Sequence, residues 1–157
     1  MLALTFDLIK NLLASHQAIQ FREVHHQPTY TYEESARARG EDISIGGKAI
    51  LMKVEDEYKL FVLSAAKKID SQKIKSRFGA RRLRFATTDE LQQLTGLVLG
   101  SVPPFGRPVL PFDLYVDVSI VANEKIAFNA GSPTISIVMN CRDYMSIAVP
   151  EVFQFSS

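Results

Sequence analysis

Two apolar runs, Lys48–Val54 and Tyr58–Ser64, stand on either side of Glu55, Asp56 and Glu57, and no other feature narrows the possible folds as much. Short runs of this kind read as strands, and a polar tip of that length reads as the turn of an antiparallel hairpin. Within AILMKV and YKLFVLS the apolar residues are successive rather than alternating. Both faces of each strand therefore need cover, which places the hairpin near the centre of a sheet. The first run is entered through Gly46-Gly47, a pair able to bring backbone close to a ligand or to take positive φ. The pair delivers Lys48 to the mouth of the buried run, although a solvated lysine at a strand start is ordinary.

The remaining elements follow from local signals. Leu2, Phe6, Ile9 and Leu13 make one apolar stripe of a first helix ending near His16. That segment lacks a basic leader and a small-residue cleavage site, so it reads as structure rather than as a signal peptide. Phe21–His25 is a short strand ended by Pro28. Thr31 with Glu34 has capping-box spacing, and Gly40 stops the helix it begins. Asp70 caps a helix running to Phe78 and closed by Gly79, Arg81–Phe85 is a strand, and Thr87 with Glu90 opens a helix closed by Gly96. Between Leu99 and Pro111 fall four of the seven prolines, so this loop is rigid. Strands are expected at Asp113–Val118, Lys125–Asn129 and Thr134–Met139, and Asn140 caps a final helix, CRDYMSIA. The order predicts one α+β domain over residues 1–157, built on a mixed sheet flanked by helices.

Composition removes several functions. A chain of 157 residues with a net charge of +1 is no general nucleic-acid or DNA binder. Eight of its eighteen Lys and Arg residues nonetheless fall between Lys67 and Arg84, where Asp70 is the sole acid. No apolar run approaches a membrane span. A single cysteine, Cys141, rules out an internal disulfide and suits a reducing cytoplasm. His25 and His26 are adjacent, so on a strand they point apart and cannot share a metal ion. Neither a metal nor a cofactor is expected. Ser101 and Ser132 have no histidine or carboxylate placed beside them by the sequence, which leaves a serine-hydrolase triad unsupported. Asp117 reads as a turn residue, with orientation of Lys48 as the alternative.

Five strings in order, HQPTYTYEESARARG, GGKAILMK, RRLRFATTDELQQLTG, GSVPPFG and AFNAGSPTISI, resemble the YbaK/prolyl-tRNA synthetase-associated domain family, the free-standing relatives of a synthetase editing domain. The likeness runs from about His26 to Pro150. It implies a mixed, partly barrel-like sheet and trans hydrolysis of a wrong amino acid from the 3′ end of a tRNA, typically a proline tRNA carrying a small residue. The family's functional lysine falls on Lys48, its Gly-x-x-x-Pro loop on Gly100 to Pro104, and its Gly-Ser turn on Gly131 and Ser132. The resemblance thus assigns Lys48, Gly100 and Ser101 to catalysis. It assigns His26, Thr31, Pro104, Phe105, Gly131 and Ser132 to substrate binding, with the prolines and Phe105 as a size filter. Backbone amides around Gly100, Ser101, Gly131 and Ser132 are candidate donors to the oxyanion or to the ribose hydroxyls. Where family members often carry a histidine or another polar residue, this chain has Pro133, which leaves the amino acid open. The implied partners are the aminoacyl-tRNA acceptor end and prolyl-tRNA synthetase. The alternative is a tRNA- or synthetase-binding module of the same fold without turnover.

Overall fold

The computed structural model describes residues 2–16 and 18–157. Its helices are α1 (Leu2–Ala14), α2 (Tyr32–Arg39), α3 (Ser71–Phe78), α4 (Thr88–Thr95), α5 (Val118–Val121) and α6 (Cys141–Ala148). Its strands are β1 (Phe21–His25), β2 (Gly47–Val54), β3 (Glu57–Ser64), β4 (Leu83–Phe85), β5 (Asp113–Val116), β6 (Lys125–Asn129), β7 (Ile135–Asn140) and β8 (Glu151–Val152). The hairpin β2–β3 runs in antiparallel register from Gly47 opposite Ser64 to Val54 opposite Glu57. It lies within a five-stranded sheet of order β4-β2-β3-β5-β8, made mixed by the parallel β3–β5 and β5–β8 pairs.

Successive apolar residues in β3 have the predicted cause. Leu60 and Val62 enter a core shared with α1, α6 and β6, while Phe61 and Leu63 enter a second core with Ile74 and Phe155. All four are fully buried. Ring contacts tie the second core together, with Phe61 stacked on Tyr115 at 5.3 Å and edge-on to Phe155 at 5.3 Å.

One mixed sheet was the expectation; the strands instead divide between two. The second sheet is antiparallel, of order β1-β7-β6. The two sheets meet at an isolated parallel bridge between Gly46 and Ala127 and form no closed barrel. This junction accounts for the glycine pair. A Cβ on Gly47 would stand 2.8 Å from Ile126 Cδ1, so a side chain there would have to displace the Ile126 side chain from the junction. Gly46 has φ of −63°, open to any residue, and a Cβ there would meet that of Ala65 at 3.1 Å. Close packing of protein on protein, rather than positive φ, is what these glycines supply.

The caps form as predicted. Thr31 and Thr87 each complete a capping box, with Glu34 and Glu90, while Asp70 and Asn140 accept amide hydrogens at the starts of α3 and α6. Gly40, Gly79 and Gly96 close their helices in the left-handed region, with φ of 71°, 59° and 75°. Ile9 and Leu13 of the first stripe are buried, whereas the Leu2 side chain lies outside the described residues. The expected strand to Val118 stops at Val116, because Asp117 caps the short α5 by accepting from the Ser119 amide at 3.0 Å. Among the described residues, no helix is long and apolar enough to cross a membrane.

Candidate active site

A cavity of about 430 Å³ opens where the two sheets meet. Three segments wall it: the turn into α2 (Thr29 to Tyr32, with Ser35 and Arg39), the start of β2 (Gly46 to Ala49), and the loop after α4 (Val98 to Gly100, with Val102). Ala65, Asn129 and Pro133 complete the lining. The fold thus brings together Lys48, Gly100 and Thr31 from the residues singled out by sequence. Pro133 joins them, and its carbonyl accepts from the Thr29 amide at 3.3 Å.

Lys48 is half-buried, and its ammonium lies 5.2 Å from the centre of the Tyr32 ring. Burial lowers its pKa, nearby Lys68 lowers it further, and Glu33 acts in the opposite sense. Lys68 is therefore near enough to repel the Lys48 ammonium, and an anionic ligand at Lys48 would relieve that repulsion.

Other expected residues sit behind the wall. Ser101 is fully buried, its hydroxyl and amide both donate to the Val98 carbonyl (2.8 and 3.1 Å), and its own carbonyl accepts from the Gly131 amide at 3.0 Å. The Ser101 and Gly131 amides, expected as oxyanion donors, are thus occupied within the protein. Ser132 closes a local turn by accepting from the Thr134 amide at 3.1 Å. Pro104 is buried and its carbonyl accepts from Tyr144 Oη at 2.5 Å. Phe105 is edge-on to Phe128 and Tyr144 at 5.5 and 5.4 Å in the core, so it supports the loop and does not line the cavity. A run of prolines and a phenylalanine has an inner and an outer side, and only the structure distinguishes them.

Sequence reasoning passed over Arg39. It is 8% exposed, lines the cavity, and has no carboxylate in ion-pair contact among the described residues. Its Nε donates to Ser136 Oγ at 2.9 Å and its Nη2 to Asn129 Oδ1 at 3.1 Å. Burial pulls its pKa down to about 10. The network extends both ways. Asn129 Nδ2 donates to the Gly100 carbonyl at 2.8 Å, fixing the loop. His26 Nε2 lies 2.8 Å from Ser136 Oγ, while its Nδ1 is 2.8 Å from the Gln27 carbonyl and so carries hydrogen. His26 therefore reaches the site through Ser136 rather than from the cavity wall.

The mouth is apolar and aromatic. Tyr30 is 85% exposed and Leu99 76%, with Val98 and Tyr32 beside them. Exposed large side chains gathered on one rim mark a contact surface. The basic segment is less uniform than its sequence. Arg77 pairs with Glu151, Arg82 with Glu55 and Arg84 with Glu90. Lys67 and Lys68, at the Ser64 end of β3, are exposed and have no ion pair among the described residues.

Comparison with known proteins identifies the family and the fold. The aminoacyl-tRNA editing domain family matches residues 26–147. The multifunctional Ser/Thr-tRNA deacylase ProXp-y of Escherichia coli (strain K12) is 33% identical over 149 residues, covering 91% of this chain and 88% of that protein. The prolyl-tRNA editing protein ProX of Acetoanaerobium sticklandii is 25% identical, covering 82% of each. The crystal structure of a candidate trans-editing enzyme for prolyl-tRNA synthetase superposes with a TM-score of 0.83 over 98% of this chain and 97% of the other, at 22% identity.

Proposed function

The chain belongs to the aminoacyl-tRNA editing domain family, and on that premise we infer that it is a trans-acting aminoacyl-tRNA deacylase whose hydrolytic site is the cavity carrying Lys48. The observation that carries this reading is the convergence of Lys48 and the Gly100 turn, 52 positions apart in sequence, on one recess with a basic and aromatic rim.

An aminoacyl ester is already activated, so the site has to position it, polarise it and admit a nucleophile. Lys48 meets an oxygen of the acceptor end, the anionic terminal phosphate or the ester, against a low-dielectric wall that strengthens the contact. Water or the neighbouring ribose hydroxyl attacks the carbonyl carbon, and no acyl intermediate forms on the protein. The amino acid that fits is small and polar. Thr29 Oγ1 and Ser35 Oγ, 2.7 Å apart, give one wall hydroxyl groups able to pair with a hydroxylated side chain, which accords with the Ser/Thr activity carried in the name of the E. coli relative. The tRNA we assign is that for proline, the prolyl-tRNA synthetase is the natural donor of mischarged substrate, and the cytoplasm is the place where both meet. We assign the whole of residues 1–157 to this one editing unit.

The test is a deacylation screen over tRNAs charged with Ser, Thr, Ala and Pro. Hydrolysis of the Ser- or Thr-charged species, and a fall in kcat/KM of roughly 10–100-fold in Lys48→Ala, corresponding to loss of one charge-assisted contact, are expected. Binding of charged tRNA with no turnover would instead identify a docking module, and full activity in Lys48→Ala would remove that lysine from the mechanism.

A further inference from the structure

A guanidinium withdrawn from water without a carboxylate is costly unless something anionic arrives to compensate it. Arg39 is in that position, with 8% of its surface exposed and two of its three nitrogens held by Ser136 and Asn129. The third, Nη1, has no hydrogen-bond partner among the described residues, and no side-chain nitrogen or oxygen in them is both fully buried and unpartnered. Nη1 therefore reaches the cavity space, beside Gly46, where a Cβ would come within 3.6 Å of it. The Ser136 and Asn129 contacts fix the plane of the fork, so this donor is preorganised.

We propose that Arg39 is a catalytic residue, its Nη1 donating to the carbonyl oxygen of the scissile aminoacyl ester as that oxygen becomes negative. The assignment rests on the deacylase reading and adds to it a receiver for the charge. Depth separates the two cations. Lys48 is half-buried near exposed Lys68 and suits the phosphate, whose charge exists before reaction. Arg39 lies deeper, where the reacting end of the acceptor arrives last. It also takes over the role for which the Ser101 and Gly131 amides are unavailable. In the step itself, a water oxygen bonds to the carbonyl carbon and the carbonyl π pair moves onto oxygen, where Nη1 meets it. That pair then re-forms C=O as the bond to the ribose oxygen breaks, and the proton lost by water ends on the departing ribose oxygen. Ester and water give amino acid and free tRNA, with nothing oxidised or reduced. Preorganised donors of this kind act on the transition state more than on the ground state.

Two measurements test the assignment. In Arg39→Gln, kcat should fall by about 10²–10³-fold with KM nearly unchanged, as when one oxyanion donor is removed. A raised KM with kcat preserved would overturn it, because Arg39 would then bind ground-state substrate. The second uses two 3′-aminoacyl-adenosine analogues, one with an anionic tetrahedral phosphonate in place of the ester and one with a neutral amide. Wild-type protein and Lys48→Ala should both prefer the phosphonate by about 10²-fold or more, and Arg39→Gln should lose the preference. If Arg39→Gln does not fold, judged by its thermal transition, the Lys48→Ala arm decides: preference retained supports Arg39, preference lost transfers the role to Lys48. A wild-type protein that hydrolyses no aminoacyl-tRNA defeats the deacylase reading, whereas an active wild type matched by Arg39→Gln defeats this assignment alone.

Discussion

Tyr30 is the residue whose environment most plainly calls for a partner. Its ring is 85% exposed at the cavity mouth, while its amide is fixed by Glu34 Oε1 at 2.8 Å in the capping structure of α2. A fixed backbone carrying a free aromatic ring suits stacking of an unpaired base at the acceptor end. Such a stack is worth about 1–3 kcal/mol. Tyr30→Ala should therefore raise KM by roughly 10-fold with kcat unchanged, and Tyr30→Phe should match wild type, because the stack uses the ring and not the hydroxyl. Equal KM values for Tyr30→Ala and wild type would place the acceptor end elsewhere on the rim. The neighbouring residues show where single-residue reading succeeds and fails. Lys48 was marked by the family resemblance, since a lysine at the mouth of an apolar run is ordinary by itself, and the fold puts it on the cavity wall. Arg39 was not so marked. The helix YEESARAR has no apolar stripe to orient it, and burial of Ser35, Ala36 and Arg39 against the second sheet is decided by contacts 90 and 97 positions away.

At the scale of elements, local chemistry fixed most boundaries and long-range pairing fixed the rest. Each helix bounded by a side-chain cap and a glycine formed where those residues put it, because both signals act within a few positions of the chain. The division into two sheets was hidden. The sequence marks strands but not their partners, and β6 pairs along its length with β7 while it meets the lead-in to the hairpin at the isolated Gly46–Ala127 bridge. The C-terminal segment was hidden too, since what holds it is long-range: β8 beside β5, the Phe155 ring in the second core, backbone bonds to Lys68 and Asp70, and the Asp117 carboxylate. Asp117 is fully buried and accepts from the Phe155 amide at 2.6 Å, the Ser156 amide at 3.0 Å and the Ser156 hydroxyl at 2.7 Å, besides capping α5. Burial alone would raise its pKa, but hydrogen bonds from Ser119, Ser156 and Phe155 outweigh it and leave the value below the ordinary one. The folded-state pKa is therefore depressed. This contribution to stability is complete above the unfolded carboxylate's value of about 3.9 and is lost as pH falls below that range through the folded value. Asp117→Asn should cost on the order of 2–4 kcal/mol at neutral pH, since it removes the charge and turns one acceptor into a donor facing donors. Its stability should also depend less on pH in the acid range than that of wild type. Urea unfolding of both proteins from pH 2 to 7 reads both effects, and parallel acid limbs would show that another carboxylate dominates.

Across the whole molecule the question is how a chain of net charge +1 holds a polyanion. The eight basic residues of the Lys67–Arg84 segment look like one surface in sequence, yet the fold separates them along the hairpin. Lys67 and Lys68 follow the Ser64 end of β3, which is opposite Gly47 and next to Lys48. Arg84 is paired in register with Lys53, five residues further along β2, roughly 17 Å away. It is also ion-paired with Glu90, as Arg82 is with Glu55. At the cavity rim the lysines around Lys48 have no ion pair among the described residues, and they are few, so the acceptor end should release few counterions on binding. For single strands the logarithm of affinity falls with the logarithm of salt by about 0.7 for each phosphate neutralised, so contact through Lys48, Lys67 and Lys68 predicts a slope near about −2. Contact by all eight would give about −6 on the same rule. Measured with a non-hydrolysable charged tRNA, the shallow slope should fall by about 0.7 in Lys68→Ala and stay unchanged in Arg84→Ala. A steep slope, or a loss on removing Arg84, would mean that the acceptor stem lies along the hairpin and that substrate binding opens the Arg84–Glu90 pair. The weak electrostatic hold expected here leaves binding to the aromatic rim and the cavity, which is where an editing site has to read the amino acid.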